Sequence, residues 1–294
     1  MIPVTMGGLS AVSLGVADFI ASQNSERIGA ARALGGMLLV SSLLLSILML
    51  IQGGFDSLFV ATNIWLILLA SLHGATIAIA LLLFFHAMTI GKISVVAPIV
   101  AAHPIVIVTF HASQGTHFSA IQMASVVGIL LGVALVGTGG SRHPPGDQLN
   151  KHYAKWQTVV FTSLAASLIY GIAILFLQGA AAGLVDLQVL WFGRCFGFLT
   201  VLTVLLVSKQ TPIPPSTKWW GLFLLHGMLD TGGILFLLLG TEGGVGNSIT
   251  AVVASTFPVI TMGLAWVILK EHVRPLQFLG AVFVFTGVSM IAAY

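Results

Sequence analysis

Long apolar segments recur along this chain and restrict its fold more than any other feature. A helix needs about 20 apolar residues to cross the hydrocarbon layer of a bilayer. Strands of a membrane barrel alternate between apolar and polar residues, whereas these segments are uniformly apolar, so we predict an all-α integral membrane protein. Ten transmembrane helices are predicted, at 6–22, 31–51, 63–85, 92–110, 120–139, 157–178, 186–207, 218–240, 246–269 and 275–293.

The composition excludes the soluble classes of protein. Charged residues make up 6% of the chain, against about 25% in an ordinary soluble domain. So few charges cannot cover a soluble globule, which excludes a soluble enzyme. The net charge of +3 is a small excess and indicates no nucleic-acid partner. The expected surroundings are the lipid bilayer, and the expected location is the cell membrane, as a multi-pass protein.

Basic residues predict the orientation in the membrane. Of the 11 Lys and Arg residues, all but Arg194 lie in or beside odd-numbered connectors. The positive-inside rule then places the odd connectors in the cytoplasm and both termini outside. The ten residues are Arg27, Arg32, Lys92, Arg142, Lys151, Lys155, Lys209, Lys218, Lys270 and Arg274.

The connectors divide the chain into two halves. Most are short and carry turn-forming or polar residues, at 22–25, 53–54, 179–183 and 243–244. A long polar stretch near the midpoint separates five predicted helices from five. We therefore predict a first five-helix repeat at 1–140, a polar linker at 141–156 and a second five-helix repeat at 157–294.

The two halves share weak sequence matches in the same order. His73 and His226 each precede a glycine and lie 153 positions apart, and Pro104 and Pro258 lie 154 apart. With five helices per repeat, the second copy runs inverted relative to the first. Inverted repeats around a site at the midplane are common in transporters. The alternative is that glycine-rich helices align by chance.

The end of the chain resembles a known family. Residues 244–294 contain Phe257-Pro258, then Leu269-Lys270-Glu271, then Gly280, and this order resembles the closing hairpin of EamA-type members of the drug/metabolite transporter superfamily. The segments around Arg32 and Arg194 resemble the arginine-containing second helix of each repeat. The resemblance implies two inverted five-helix repeats around a central cavity. It also implies transport, often export, of amino acids, nucleotide-linked or other small metabolites.

Three features depart from that family. His117 stands where the first repeat would carry the glutamate that matches Glu271, and Leu14-Gly15 replaces an aromatic-glycine pair. Many members are drawn with both termini in the cytoplasm, which conflicts with the charge bias. We keep the charge-based orientation because it is a property of this sequence.

An aspartate inside the first predicted helix is the first candidate site residue. An ionised Asp at the centre of a helix costs roughly 2.5–3.5 kcal/mol on insertion. We therefore expect Asp18 to face a wet cavity or a partner. The alternative places Asp18 near the helix end, since the chain already becomes polar at Ser22.

The eighth predicted helix carries a pair of ionisable residues. His226 and Asp230 are four residues apart and share one helix face. They form a candidate proton-linked pair, or a carboxylate for a substrate amine; the alternative is a structural hydrogen bond between helices. His73, in the matching helix, is a further candidate because histidine titrates near neutral pH. The weaker histidine candidates are His86, His103 and His111.

Arg194 is the remaining charge inside a predicted helix. Its guanidinium could hold a carboxylate or phosphate of the substrate. It lies two helical turns after Asp186, so a long contact between these two is a further option. The alternatives are that Arg194 ties helices together or snorkels to the surface. Tyr170 and Trp191 are candidate aromatic walls of the cavity, although interfacial anchoring is a common role for tryptophan.

Prolines predict where the helices bend. Pro98, Pro104 and Pro258 fall in the fourth helix of each predicted half, and proline removes a backbone hydrogen bond. Rocking around these kinks would give alternating access to a central site. The alternative is a static kink needed for packing.

These observations predict a secondary active transporter, an exporter or exchanger. Its expected substrate is a small polar metabolite, with an amino acid or related zwitterion favoured, carried by alternating access with proton coupling. The sequence contains no phosphate-binding loop, so we do not expect ATP hydrolysis to drive transport directly. No metal site and no cofactor are expected, because metal-ligand spacings are missing. We expect no enzymatic activity and a monomer or weak homodimer. The alternatives are a membrane-embedded enzyme that uses His226 and Asp230, and a channel-like facilitator.

Overall fold

Helices account for the secondary structure of the described chain. The computed structural model describes residues 2–55, 64–137, 156–212, 214, 216–240, 249–271 and 273–293, and within these ranges no strand occurs. The helices are α1 Ile2–Ile28, α2 Ala30–Ile51, α3 Ile64–Ile90, α4 Ile93–Val100, α5 Pro104–Ser113, α6 Ala120–Gly137, α7 Trp156–Ala181, α8 Asp186–Val207, α9 Lys218–Gly240, α10 Ile249–Ala254, α11 Phe257–Ile268 and α12 Pro275–Ala293.

The helices have the length and surface that a bilayer requires. In the described chain, eight helical segments are long and apolar enough to cross a membrane, with α4 and α5 forming one of them, and two shorter apolar segments follow at Val252–Ile268 and Pro275–Ile291. Large apolar side chains point outward, with Phe161 75% and Val207 78% exposed. Such a surface suits lipid and not water. The prediction of an all-α, multi-span membrane protein is confirmed.

The first helix is longer than the sequence predicts. The polar residues at 22–25, predicted to be a connector, lie inside α1, which ends at Ile28. Ser22, Asn24 and Ser25 are buried. The prediction failed because these polar side chains face neighbouring helices and not water. The connector predicted at 179–183 is shorter than expected, since α7 extends to Ala181.

Two segments are broken near their middle. The chain turns at 101–103 before α5 begins at Pro104, and again at 255–256 before α11 begins at Phe257, which precedes Pro258. Proline has no N–H and fits the first turn of a helix, where the N–H would lack a partner. Pro98 differs, because it lies inside α4 and that helix continues past it. The predicted interruption at Pro98 is therefore wrong, whereas those at Pro104 and Pro258 match the observed breaks.

Helices from the first half pack mainly against helices from the second. α1 packs against α9, α3 against α7, α2 against α8 and α6 against α12. The largest core lies between these helices and includes the fully buried Leu34, Leu38, Phe85 and Phe223. The hydrophobic effect does not drive helices together in lipid, because lipid tails are as apolar as the helix surfaces. Close packing of such side chains therefore supplies much of the free energy of helix association.

Glycines permit the closest approaches. Where α6 crosses α12, a Cβ on Gly132 would lie 2.5 Å from the Gly280 carbonyl oxygen, and a Cβ on Gly280 would lie 2.6 Å from the Gly132 carbonyl oxygen. The backbones of α6 and α12 therefore touch at this point. Gly280, noted in the sequence as part of a family pattern, is a packing residue here.

The two broken segments contact glycines in a similar way. A Cβ on Gly15 of α1 would lie 2.8 Å from the Phe257 carbonyl oxygen at the start of α11. A Cβ on Gly171 of α7 would lie 2.9 Å from the His103 carbonyl oxygen just before α5. Each first helix of a predicted half thus crosses the broken segment of the other half at a glycine.

Glu271 caps a helix that belongs to the first half. Its two carboxylate oxygens accept hydrogen bonds from the backbone N–H groups of Ile93 and Ser94, at 3.1 and 3.0 Å. These N–H groups are in the first turn of α4, where a helix has no internal acceptor and favours negative charge. The connector between α11 and α12 is thereby held against α4.

Connectors that carry basic residues meet at one end of the bundle. Arg32, at the start of α2, donates from Nε to the Thr211 carbonyl oxygen at 2.9 Å, which joins the first connector to the seventh. At the opposite end, Gln188 donates to the Gly54 carbonyl oxygen at 3.1 Å. Two odd-numbered connectors, the first and the seventh, therefore lie at the same end of the bundle. This is expected when successive helices run in opposite directions. Arg142, Lys151 and Lys155 lie outside the described residues.

We expect the basic end to face the cytoplasm, and single cysteines test this. In a Cys195→Ser background, Gln52→Cys should react with an impermeant thiol reagent on intact cells, because the second connector lies at the other end. Gln210→Cys, in the seventh connector, should react only after lysis. Both glutamine side chains are exposed, so access within the protein is matched. The reverse labelling pattern would place both termini in the cytoplasm.

Candidate functional site

An ion pair between two helices forms the centre of the candidate site. Arg194 of α8 and Asp230 of α9 approach to 2.6 Å, and their side chains are 10% and 15% exposed. Ser41 of α2 lies beside them, with its hydroxyl 3.5 Å from Asp230 Oδ2. Of the alternatives for Arg194, the structure therefore favours a tie between helices. The predicted contact between Arg194 and Asp186 is not formed, because Asp230 is the partner.

Asp18 lies deep in the bundle and is partly exposed. It is ten residues before the end of α1, so the alternative that places it near a helix end is wrong. It follows the buried Gly15 and precedes the buried Ser22 on the inward stripe of α1. Among the described residues it has no ion pair or hydrogen bond, although its charge interacts with that of Asp230. Asp18 therefore lies on the stripe of α1 that faces the other helices, as the sequence led us to expect.

Tyr170 connects this charged group to the break between α4 and α5. Its hydroxyl lies within electrostatic range of Asp18, Arg194 and Asp230. Its ring packs against the His103 ring, with the two centroids 4.4 Å apart and 35° between the planes. The site thus contains residues from α1, α2, α7, α8 and α9 and from the turn before α5.

His226 does not pair with Asp230 as the sequence predicted. Its ring is 1% exposed and stacks on Phe85, with the centroids 5.9 Å apart. In the described chain, its Nδ1 atom has no hydrogen-bond partner. The spacing of four residues does place both side chains on the inward stripe of α9. However, Asp230 is turned to Arg194, and His226 lies in an apolar part of the core.

His73 joins two helices from opposite halves. Its Nδ1 atom lies 2.9 Å from the Ala173 carbonyl oxygen of α7. A carbonyl oxygen only accepts hydrogen bonds, so Nδ1 carries the proton and donates. Gly193 leaves room for the imidazole, since a Cβ there would lie 3.0 Å from the ring. This geometry matches the alternative interpretation of His73, a donor between helices.

Trp191 lies one turn before Arg194, toward the end of the bundle opposite the basic connectors. Its indole N–H donates to the Ser46 hydroxyl at 2.8 Å, and the Phe55 ring meets it edge-on at 5.1 Å. The indole is therefore held between α2, α8 and the second connector. Its predicted role as an aromatic wall of the cavity stays a prediction.

Sequence reasoning missed one residue of this site and gave little weight to another. Ser41 gave no signal, because a serine in an apolar helix is common. His103 was ranked low, although its position directly before Pro104 was a usable signal. A proline removes the N–H that would satisfy the Val100 carbonyl oxygen, and His103 bonds to that oxygen from Nδ1 at 3.2 Å.

Comparison with known proteins identifies the family to which this chain belongs. The sequence model of the EamA-like transporter family matches residues 1–138 and 157–293. The chain belongs to the EamA-like transporter family. This membership places it in the drug/metabolite transporter superfamily, as the closing hairpin indicated, and members of the EamA-like family are transporters and not enzymes.

A solved structure shares the fold of this chain. A crystal structure of a protein superposes with a TM-score of 0.62 at 15% sequence identity, over 98% of this chain and 95% of its own length. At this identity the likeness concerns the fold alone. No curated protein gives a significant match to the chain.

Proposed function

We propose that this protein is a secondary active transporter that exports or exchanges a small polar metabolite by alternating access. The observation that carries the proposal is the unpaired, partly exposed Asp18 beside the ion pair of Arg194 and Asp230. Charged groups within the membrane are costly and mark pathways of solutes or protons. An amino acid or a related zwitterion is the favoured substrate, because the site offers both signs of charge.

Matching contacts in the two halves support an inverted repeat. α1 packs against α9 as α3 packs against α7, and the equivalent glycines Gly15 and Gly171 contact the two broken segments. In a pair of inverted repeats the broken helices bring a binding site to the midplane. We therefore assign 1–140 and 157–294 as the repeats, joined by the linker 141–156, most of which lies outside the described residues. Ten membrane-spanning helices follow from this assignment.

Asp18 is the carboxylate we assign to proton coupling. Arg194 already neutralises Asp230, whereas Asp18 has no such partner in the described chain. A carboxylate that binds either a proton or the cationic group of a substrate couples proton movement to substrate movement, because only one of them can occupy it at a time. Coupling requires that proton affinity differ between the two states of the carrier. His226 is too enclosed to exchange a proton directly, since its ring is 1% exposed.

Exchange in proteoliposomes tests this function. A thermal-shift screen of amino acids, amines, nucleosides and organic acids selects the solute, since a bound ligand raises the stability of the folded state. A carrier then exchanges labelled for unlabelled solute, whereas an enzyme or a channel does not accumulate label by counterflow. Absence of counterflow for every solute that raises the melting temperature would overturn the proposal.

Asp18→Asn should separate exchange from proton coupling. Uptake driven by a pH gradient should fall to the level of protein-free liposomes, because the side chain no longer ionises. Exchange that needs no net proton movement should persist. Asp186→Asn is the matched control, since Asp186 lies at the start of α8 and is partly exposed. Asp230→Asn is a poorer test, because it leaves Arg194 without its partner. Gradient-driven uptake that survives in Asp18→Asn would remove Asp18 from the coupling role.

A further inference from the structure

The turn before α5 fixes the tautomer of His103. Pro104 has no N–H, so the Val100 carbonyl oxygen lacks its normal helical donor four residues on. The backbone N–H and the Nδ1 atom of His103 lie 3.2 Å from this oxygen. Because the oxygen can only accept, Nδ1 carries the proton, and in a neutral ring Nε2 then has a free lone pair. His103 therefore presents a hydrogen-bond acceptor and not a donor.

The surroundings of His103 place this acceptor at the candidate site. The ring is partly exposed, and in the described chain no group bonds to Nε2. Tyr170, 4.4 Å away between ring centroids, lies within electrostatic range of Asp18. The carboxylate of Asp18, the lone pair of His103 and the electron-rich face of Tyr170 are all complementary to a cation that carries N–H donors. Arg194 directs its Nη2 atom to Asp230 Oδ2.

The other half of the bundle lacks this arrangement. Gly171 contacts the His103 backbone as Gly15 contacts the Phe257 backbone, so Phe257 occupies the position equivalent to His103. Leu14 precedes Gly15 as Tyr170 precedes Gly171. The polar ring pair on one side thus corresponds to two apolar side chains on the other. The two broken segments therefore offer different groups to a solute, with a polar ring pair at one and apolar side chains at the other.

We propose that His103 and Tyr170 form a subsite for the ammonium group of a protonated primary amine, with His103 Nε2 accepting one of its N–H donors. The proposal rests on the proposed transport function and narrows its substrates to solutes that carry a primary amine, including amino acids. Asp18 supplies the charge attraction, and the His103–Tyr170 pair selects for N–H donors. His103 is thus a residue that determines specificity.

Two amines of equal charge test the selection. Butylamine and butyltrimethylammonium both carry one positive charge, so Asp18 attracts both, but only butylamine has N–H donors. Affinities are measured by thermal shift on detergent-purified full-length protein. The wild type should prefer butylamine, and His103→Phe should weaken butylamine binding by about three- to tenfold, the value of one hydrogen bond. Binding of butyltrimethylammonium should stay unchanged.

Two further variants keep the test valid if His103→Phe folds poorly. His103→Asn retains an N–H donor for the Val100 carbonyl oxygen, but its shorter side chain has no acceptor at the position of Nε2, so it should bind like His103→Phe. His86→Phe alters an exposed histidine on α3 and should keep the wild-type preference.

Binding and transport distinguish the two proposals. Equal affinity of the wild type for both amines, no binding of butylamine, or a preference that survives in both His103 variants would overturn the subsite. A donor preference that depends on His103, without counterflow of labelled butylamine, would retain the subsite and overturn the transport function.

Discussion

Arg194→Met is expected to destabilise the protein by about 3–5 kcal/mol, the cost of leaving a buried charge without its partner. Asp230 would lose the guanidinium that lies 2.6 Å away and keep only the Ser41 hydroxyl at 3.5 Å. The melting temperature of the detergent-purified protein should fall sharply. Adding Asp230→Leu should restore most of the loss, because replacing both partners by apolar side chains removes the unpaired charge.

The arginine in the second helix of the first half provides the control. Arg32 bonds to Thr211 at the exposed end of α2, so Arg32→Met should cost less than about 1 kcal/mol. Equal losses for Arg194→Met and Arg32→Met would contradict the central importance of the ion pair. A double variant as unstable as Arg194→Met alone would show that the damage comes from packing and not from charge.

Gly132→Ala is the second variant for which we expect a large effect. The new methyl group would lie 2.5 Å from the Gly280 carbonyl oxygen and 2.8 Å from the Val284 side chain. A backbone oxygen in a helix cannot move aside as the end of a flexible side chain can. The clash therefore forces α6 and α12 apart. We expect a loss of about 1–3 kcal/mol, as for other overpacked sites, measured as a drop in melting temperature.

Gly128→Ala is the matched control, one turn earlier on α6. A Cβ at Gly128 meets no atom within 4 Å. Removing a helical glycine there should leave stability unchanged or raise it by up to about 1 kcal/mol. If both variants had the same melting temperature, the close contact of α6 with α12 would not contribute to stability.

The membrane class of fold follows from sequence because the bilayer imposes one simple requirement. A helix that satisfies its own backbone and covers about 30 Å with apolar side chains is easily recognised. The end of α1 was misjudged because the polar residues Ser22, Asn24 and Ser25 are buried between helices. Hydropathy registers polarity along one helix and carries no information about its neighbours. The breaks at Pro104 and Pro258 were predictable, since they depend on the missing N–H of proline.

The residues of the candidate site were easier to find than their partners. Asp18, Arg194 and Asp230 stand out because a charge in an apolar helix is costly. The spacing of four residues suggested His226 for Asp230, because such reasoning sees only one helix. The actual partner, Arg194, lies on another helix, and only the packing of both α8 and α9 against α2 brings the two charges together.

The cap that Glu271 provides for α4 has a consequence during synthesis. The N–H groups of Ile93 and Ser94 obtain their acceptors from a residue 178 and 177 positions later. At typical elongation rates the ribosome needs on the order of 10–35 s to cover that distance. During this interval the first turn of α4 lacks its Glu271 acceptor and is exposed to water or lipid headgroups. Helices α1 and α6 also lack their packing partners α9 and α12. The nascent first half is therefore an open assembly that closes only when the last hairpin arrives.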